Sequence, residues 1–94
     1  MNPDSTLVEV IRTRILSGNL PRTTQPDTRG GAGQGGKCAC CDSRIDPADI
    51  EYELGYRDID GTRAIRSMHL RCYALWLAEA RRIALLDDAI RAAS

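Results

Sequence analysis

Ninety-four residues suffice for one small domain, and a chain of this size buries too little apolar surface to dispense readily with a metal, disulfides or a partner. Thirteen basic residues balance thirteen acidic ones, which removes the simplest electrostatic case for a nucleic-acid or anionic-membrane partner. Four cysteines beside no Phe, one Trp and three Tyr make the cysteines the candidate staple, and no apolar run approaches the roughly 20 residues of a membrane span.

Ser5 to Ser17 reads as a short amphipathic helix. Asp4 or Ser5 can cap it, Leu7, Val8, Ile11, Ile15 and Leu16 recur at helical spacing, and Gly18 and Pro21 end it. Glu9, Arg12 and Arg14 interrupt the apolar run from Leu7 to Ile15, so this stretch does not resemble a signal peptide. A reducing cytoplasm is the expected compartment, where closely spaced cysteines bind metal more often than they pair. Twelve Arg against one Lys, with abundant Ala, points to a GC-rich bacterial genome.

Pro21 to Lys37 carries two Pro, many Gly and no apolar periodicity, and is expected to be a flexible Gly/Pro-rich linker. Its run Gly30-Gly31-Ala32-Gly33-Gln34-Gly35-Gly36 lacks the preceding strand and following helix of a phosphate loop. The expected organisation is an N-terminal amphipathic helix within residues 1–20, the linker over 21–37, and a metal-stapled unit over 38–94.

Ile50 to Tyr56 alternates apolar and polar residues, which predicts a half-buried strand with Ile50, Tyr52, Leu54 and Tyr56 on its inner face. Asp58-Ile59-Asp60-Gly61 supplies a turn, and Thr62 to Met68 can return as the second strand of a hairpin. From Leu70 to Ala92 the residues favour one long helix with Cys72, Trp76, Ile83, Leu86 and Ile90 near one face. Residues 76, 83 and 90 repeat at seven, which suits either a helix partner or packing on the N-terminal helix.

Cys38 and Cys41 form C-x2-C, and His69 and Cys72 form H-x2-C. A tight turn aims the first two sulfurs at one point, while residues three apart in a first helical turn share a side. Together they make a Cys3His set that suits one zinc ion per chain and leaves no position open for water, as in a structural site. Cys40 offers competing registers, but the x2 spacing fits the turn best. It is left as a free thiol, with a redox role only if it were exposed and acidic. With the sole histidine claimed by metal, no Ser-His-Asp set is possible, and the chain is not expected to be an enzyme.

Lys37-Cys38-Ala39-Cys40-Cys41-Asp42-Ser43-Arg44-Ile45, followed by His69-Leu70-Arg71-Cys72-Tyr73-Ala74-Leu75-Trp76, resembles the treble-clef zinc finger of the poly(ADP-ribose) polymerase type. The layout is also similar to small bacterial proteins with an N-terminal helix and a glycine-rich linker. The resemblance implies a small α+β zinc-stabilised domain: a zinc knuckle, a β-hairpin and a long C-terminal helix. It also implies DNA-break recognition through a basic face. Lys37 to Trp76, however, carries six basic and seven acidic residues, and a loaded Cys3His site adds a further negative charge. A net acidic module is poorly placed to bind phosphates. Arg57, Arg63 and Arg66 are the candidate nucleic-acid contacts; the competing expectation pairs them with Asp58, Asp60, Glu51 or Glu53. The expected function is therefore a protein-interaction or regulatory adaptor, contacting another protein or a second copy through the C-terminal helix. Nucleic-acid binding, at DNA breaks or in transcription, is the alternative.

Overall fold

The computed structural model describes residues 3–58 and 60–93. Helix α1 spans Pro3–Leu16, strands β1, β2 and β3 span Asp27–Ala32, Ile50–Arg57 and Arg63–His69, and helix α2 spans Leu70–Ala93. The strands form one antiparallel sheet in the order β1-β2-β3. The protein is a small α+β fold.

Helix α1 is already formed at Pro3, so the expected caps Asp4 and Ser5 lie inside its first turn, and proline's fixed φ suits the opening position. It closes at Gly18, whose φ of 88° is open to glycine at little cost. The amides of Asn19 and Leu20 turn back to the Arg14 carbonyl. Ile11 and Ile15 are buried as their spacing predicts, whereas Leu16 is exposed.

The segment expected to be a linker contains β1. Asp27 to Ala32 pair residue for residue with Gly55 to Ile50, a correction to the composition-based expectation. The Tyr52 ring lies over Gly30, within van der Waals contact of the place a side chain's first carbon would occupy. Tyr52 in turn stacks on Tyr73 of α2, with centroids 4.4 Å apart. The β1 residues are all exposed, so no apolar alternation marks the strand.

The β2–β3 hairpin closes through Asp58 to Gly61, with the Gly61 amide on the Asp58 carbonyl and Gly61 at a φ of 83°. Ile59, expected in this turn, lies outside the described residues. Tyr52, Leu54 and Tyr56 face Met68, Arg66 and Ala64 across the ladder, and this side meets α2. Ile50 departs from the expected inner face: it is half exposed at the strand's start, while Glu51 is buried and accepts the Gln34 amide.

Helix α2 buries Cys72, Trp76, Glu79, Ala80 and Ile83. Trp76 is fully buried, and its indole N–H donates to the Pro21 carbonyl at 2.9 Å, which draws the chain after α1 onto the helix. Glu79 takes guanidinium hydrogen bonds from Arg12 of α1 and Arg82. The N-terminal helix therefore packs on α2. Leu86 and Ile90, expected to continue the buried stripe, are 49% and 66% exposed: burial along α2 ends at Ile83, and the contact with the chain after α1 beyond that point is the exposed Arg22–Asp87 ion pair.

Candidate metal centre

The cysteine turn is built by its own backbone. The Cys38 amide donates to the Ser43 carbonyl, the Asp42 amide to the Cys38 carbonyl, and the Cys40 amide points at the Cys38 sulfur from 3.4 Å. Lys37 and Arg44 bridge at its base, and the Ile45 amide donates to the Gly36 carbonyl. The turn requires one residue in the left-handed region, filled by Asp42 at a φ of 65°, a conformation aspartate tolerates better than most residues. The Ala39 amide donates to the Ser67 carbonyl, fixing the turn against β3, whose last residue is His69.

Cys72 follows in the first turn of α2, so the strand end and helix start present His69 and Cys72 together. One donor atom from each of Cys38, Cys41, His69 and Cys72 lies within 4.8 Å of the others. Cys38 and Cys72 are buried, while Cys41 and His69 lie nearer the surface. The four residues expected from spacing are the four the fold brings together, and they could hold a metal ion.

His69 is oriented for the task. Its Nε2–H donates to the Arg44 carbonyl at 3.1 Å, with the Asp49 carboxylate 3.8 Å away. The opposite nitrogen, Nδ1, lies 3.4 Å from the Cys41 sulfur and 4.0 Å from that of Cys72. Metal-binding histidines commonly donate the second ring N–H to a carbonyl or carboxylate, which leaves the ligating nitrogen unprotonated.

The electrostatics of the thiols also ask for a cation. The Cys40 and Cys72 thiols donate toward the Cys38 sulfur and hold its pKa far below the ordinary thiol value. The same contact with Cys38 pushes Cys72 up to about 12 and Cys40 higher still. Adjacent sulfurs cannot all become thiolates without a compensating positive charge. A divalent ion supplies that charge, and its binding releases the thiol protons.

One contributor carries no signal in the sequence. Arg14 of α1 reaches the turn and donates to the carbonyls of Ala39 and Cys40 and to both carboxylate oxygens of Asp42. Gly33 is a second: a side chain there would strike the Asp46 backbone carbonyl, and the Gly33 amide donates to the Asp49 carbonyl. Arg14 thus holds the cysteine turn, and Gly33 the loop between that turn and β2. Beside the site lies an open cleft of about 550 Å³, lined by Leu7, Ala48, Ile50 and Leu70 together with Cys41 and His69.

Arg57, Arg63 and Arg66 do not form one patch. Arg57 and Arg63 are cross-strand partners on one side of the sheet, and Arg66 faces the other side, opposite Leu54. Arg57 donates to the Gly61 carbonyl, Arg63 to Asp27, and Arg66 to the carbonyls of Asn19 and Ile65. Their partners are not the expected Asp58, Asp60, Glu51 or Glu53.

Comparison with protein-family models, with curated proteins and with solved structures finds no match for this chain. No helix among the described residues is long and apolar enough to cross a membrane.

Proposed function

We propose that this chain is a non-catalytic, zinc-binding module of the treble-clef type that acts in the cytoplasm as a protein-interaction or regulatory adaptor. The observation that carries the metal half is the convergence of Cys38, Cys41, His69 and Cys72 within 4.8 Å. Three sulfurs and one imidazole nitrogen select zinc over hard cations, and four protein donors complete its tetrahedron without a water. The order of cysteine turn, hairpin and long helix, with the second ligand pair at the hairpin-to-helix junction, supports the treble-clef assignment.

The interaction half rests on the distal turns of α2. Leu85, Leu86 and Ile90 are 70%, 49% and 66% exposed, an apolar cluster for a second copy or another protein. Trp76 and Ile83 are buried within the chain, so the seven-residue repeat offers only its last member to a partner.

Metal analysis combined with sedimentation tests both halves. One zinc per chain, with association abolished by Leu85→Glu and Ile90→Glu at unchanged zinc content, is the expected result. A zinc-loaded chain that stays monomeric and is captured by no partner through these residues would remove the adaptor role. The nucleic-acid alternative has less support, since Arg57, Arg63 and Arg66 are divided between two sheet faces and engaged within the fold. Salt-sensitive binding to nicked duplex, lost on substituting them, would reverse that preference.

A further inference from the structure

The sheet ends in β1 on one side and β3 on the other, and the two edges differ. Along β3, backbone groups that point away from β2 are occupied: the Ser67 carbonyl takes the Ala39 amide and the Ile65 carbonyl takes the Arg66 guanidinium. Along β1 the edge is bare. The Gly33 amide bonds to Asp49 across the ladder, so in the register that runs from Asp27 opposite Gly55 to Ala32 opposite Ile50, Arg29 and Gly31 turn their N–H and C=O groups toward β2. Thr28, Gly30 and Ala32 turn theirs outward. The Ala32 carbonyl takes the Gln34 side chain, whereas the backbone groups of Thr28 and Gly30 have no partner among the described residues. Every residue of β1 is exposed, and such an edge is a template for another strand.

We infer that the β1 edge pairs with the β1 edge of a second copy, antiparallel about a two-fold axis at Thr28, and joins two sheets into one. Charge selects this register from those that bring the outward groups together. Centring the pair on Arg29 sets the two Arg29 side chains opposite each other, and centring it on Gly30 sets Asp27 and Arg29 opposite glycines. Centring it on Thr28 sets Asp27 of each copy opposite Arg29 of the other, on the sheet face away from α2, an arrangement that stabilises a strand pair where like charges would weaken it. Arg29 has no hydrogen bond or ion pair among the described residues, and Asp27 meets only the exposed Arg63, at 3.3 Å, so both are open to the new contact. The Thr28 amides and carbonyls then bond reciprocally, and each Gly30 amide donates to the Pro26 carbonyl of the other copy. The contact is small and forms at about millimolar concentration, a level that chains gathered on one assembly reach as effective concentration. It is separate from the apolar cluster of α2 and does not rest on it.

The test is amide NMR of the zinc-loaded full chain carrying Leu85→Glu and Ile90→Glu, which removes the α2 contact, at protein concentrations from about 0.01 to 1 mM. The Thr28 and Gly30 amide signals should move with concentration, and the Arg29 and Gly31 amides, which bond to β2, should move far less. Arg29→Asp and Asp27→Arg should each weaken the association about tenfold or more, while an equimolar mixture of the two variants should restore it, because every facing pair is then of opposite sign. Thr28→Pro removes an outward N–H and should abolish the association with the Arg29 and Gly31 amides still protected from exchange; Thr28→Val, which loses only the hydroxyl, should keep it. Concentration-independent Thr28 and Gly30 signals, a mixture that associates no better than either variant alone, or parental association in Thr28→Pro would overturn the inference. Association through Leu85 and Ile90 at lower concentration should be the same with and without Thr28→Pro, so the two contacts fail separately.

Discussion

The Arg14 guanidinium holds both carboxylate oxygens of Asp42, at 3.0 and 2.7 Å, and donates to the carbonyls of Ala39 and Cys40. A side chain of the first helix thereby fixes the turn that presents Cys38 and Cys41. Packing of Ile11 and Ile15 in the core sets the position of Arg14, so helix docking and ligand placement are coupled. Arg14→Ala should weaken zinc binding about tenfold, the scale of other groups that orient metal ligands, and Arg14→Lys should recover part of it. Competition against a zinc chelator measures both. Equal affinity in parent and Arg14→Ala would show that the turn holds its shape unaided.

The same pair carries a pH signature. The Arg14 hydrogen bond holds the Asp42 carboxyl below the ordinary aspartate value. Its contribution is therefore present above about pH 4 and lost as the pH falls through the lower folded-state pKa. Asp42→Asn should be less stable than the parent near neutrality, and the gap should close in acid. Because the position has a positive φ, Asp42→Ala should be worse than Asp42→Gly, which gives up the ion pair but not the turn. Urea denaturation of the zinc-loaded variants across pH gives the ordering.

Glycine content tells little until the contacts around each position are known. Gly33→Ala would place a methyl group into the Asp46 carbonyl, with backbone on both sides and no flexible side chain to yield. It should cost about 3 kcal/mol of stability and displace the loop that carries Asp49 toward His69. Gly31→Ala meets nothing within 4 Å and should stay within about 0.5 kcal/mol of the parent. Denaturant midpoints of the two zinc-loaded proteins separate them, and equal midpoints would contradict the close approach of Gly33 to the Asp46 backbone.

The candidate metal ligands are legible in the sequence because their chemistry is local: C-x2-C and H-x2-C each fit one turn of backbone. Helix α2 and the hairpin are legible from periodicity and the Asp-Gly turn. Strand β1 is not, since Asp27-Thr28-Arg29-Gly30-Gly31-Ala32 has no apolar face, and its place in the sheet is set by backbone pairing with Gly55 to Ile50. The burial of Glu79 is equally hidden, because it depends on Arg12, 67 residues away. Leu86 and Ile90 share the periodicity of Ile83, yet only Ile83 is covered; a helix pattern shows which side is apolar, not how far its cover extends.

Glu79 ties the two helices together. Its buried carboxylate takes hydrogen bonds from Arg82 at 2.6 Å and from Arg12 at 2.7 Å, and these hold its pKa below the ordinary glutamate value. Both guanidinium groups remain partly open to solvent, so Glu79→Ala should cost about 1–2 kcal/mol, less than the loss of one member of a fully enclosed pair. The contribution is present above about pH 4.3 and lost as the pH falls through the lower folded-state value. Glu79→Gln should remove this part of the acid dependence while keeping the packing volume. An unchanged stability slope in Glu79→Gln below about pH 4.3 would assign that dependence elsewhere.

Removing one of the proposed zinc ligands should be felt by the whole fold. Cys72 stands in the first turn of α2 next to the core formed by Trp76 and Met68, and Cys38 is buried against it. Cys72→Ser should lower zinc affinity about a hundredfold or more, because one of four strong bonds is lost from a binding energy that is also folding energy. The helix signal should fall with it, and a chelator should unfold the variant at concentrations the parent withstands. Zinc retention should also fail at a higher pH in the variant, since protons compete more easily with three remaining donors than with four. Circular dichroism during chelator titration, repeated from neutral pH downward, reads both effects. Full zinc affinity and a native spectrum in Cys72→Ser would remove Cys72 from the ligand set, and with it the closed tetrahedral site.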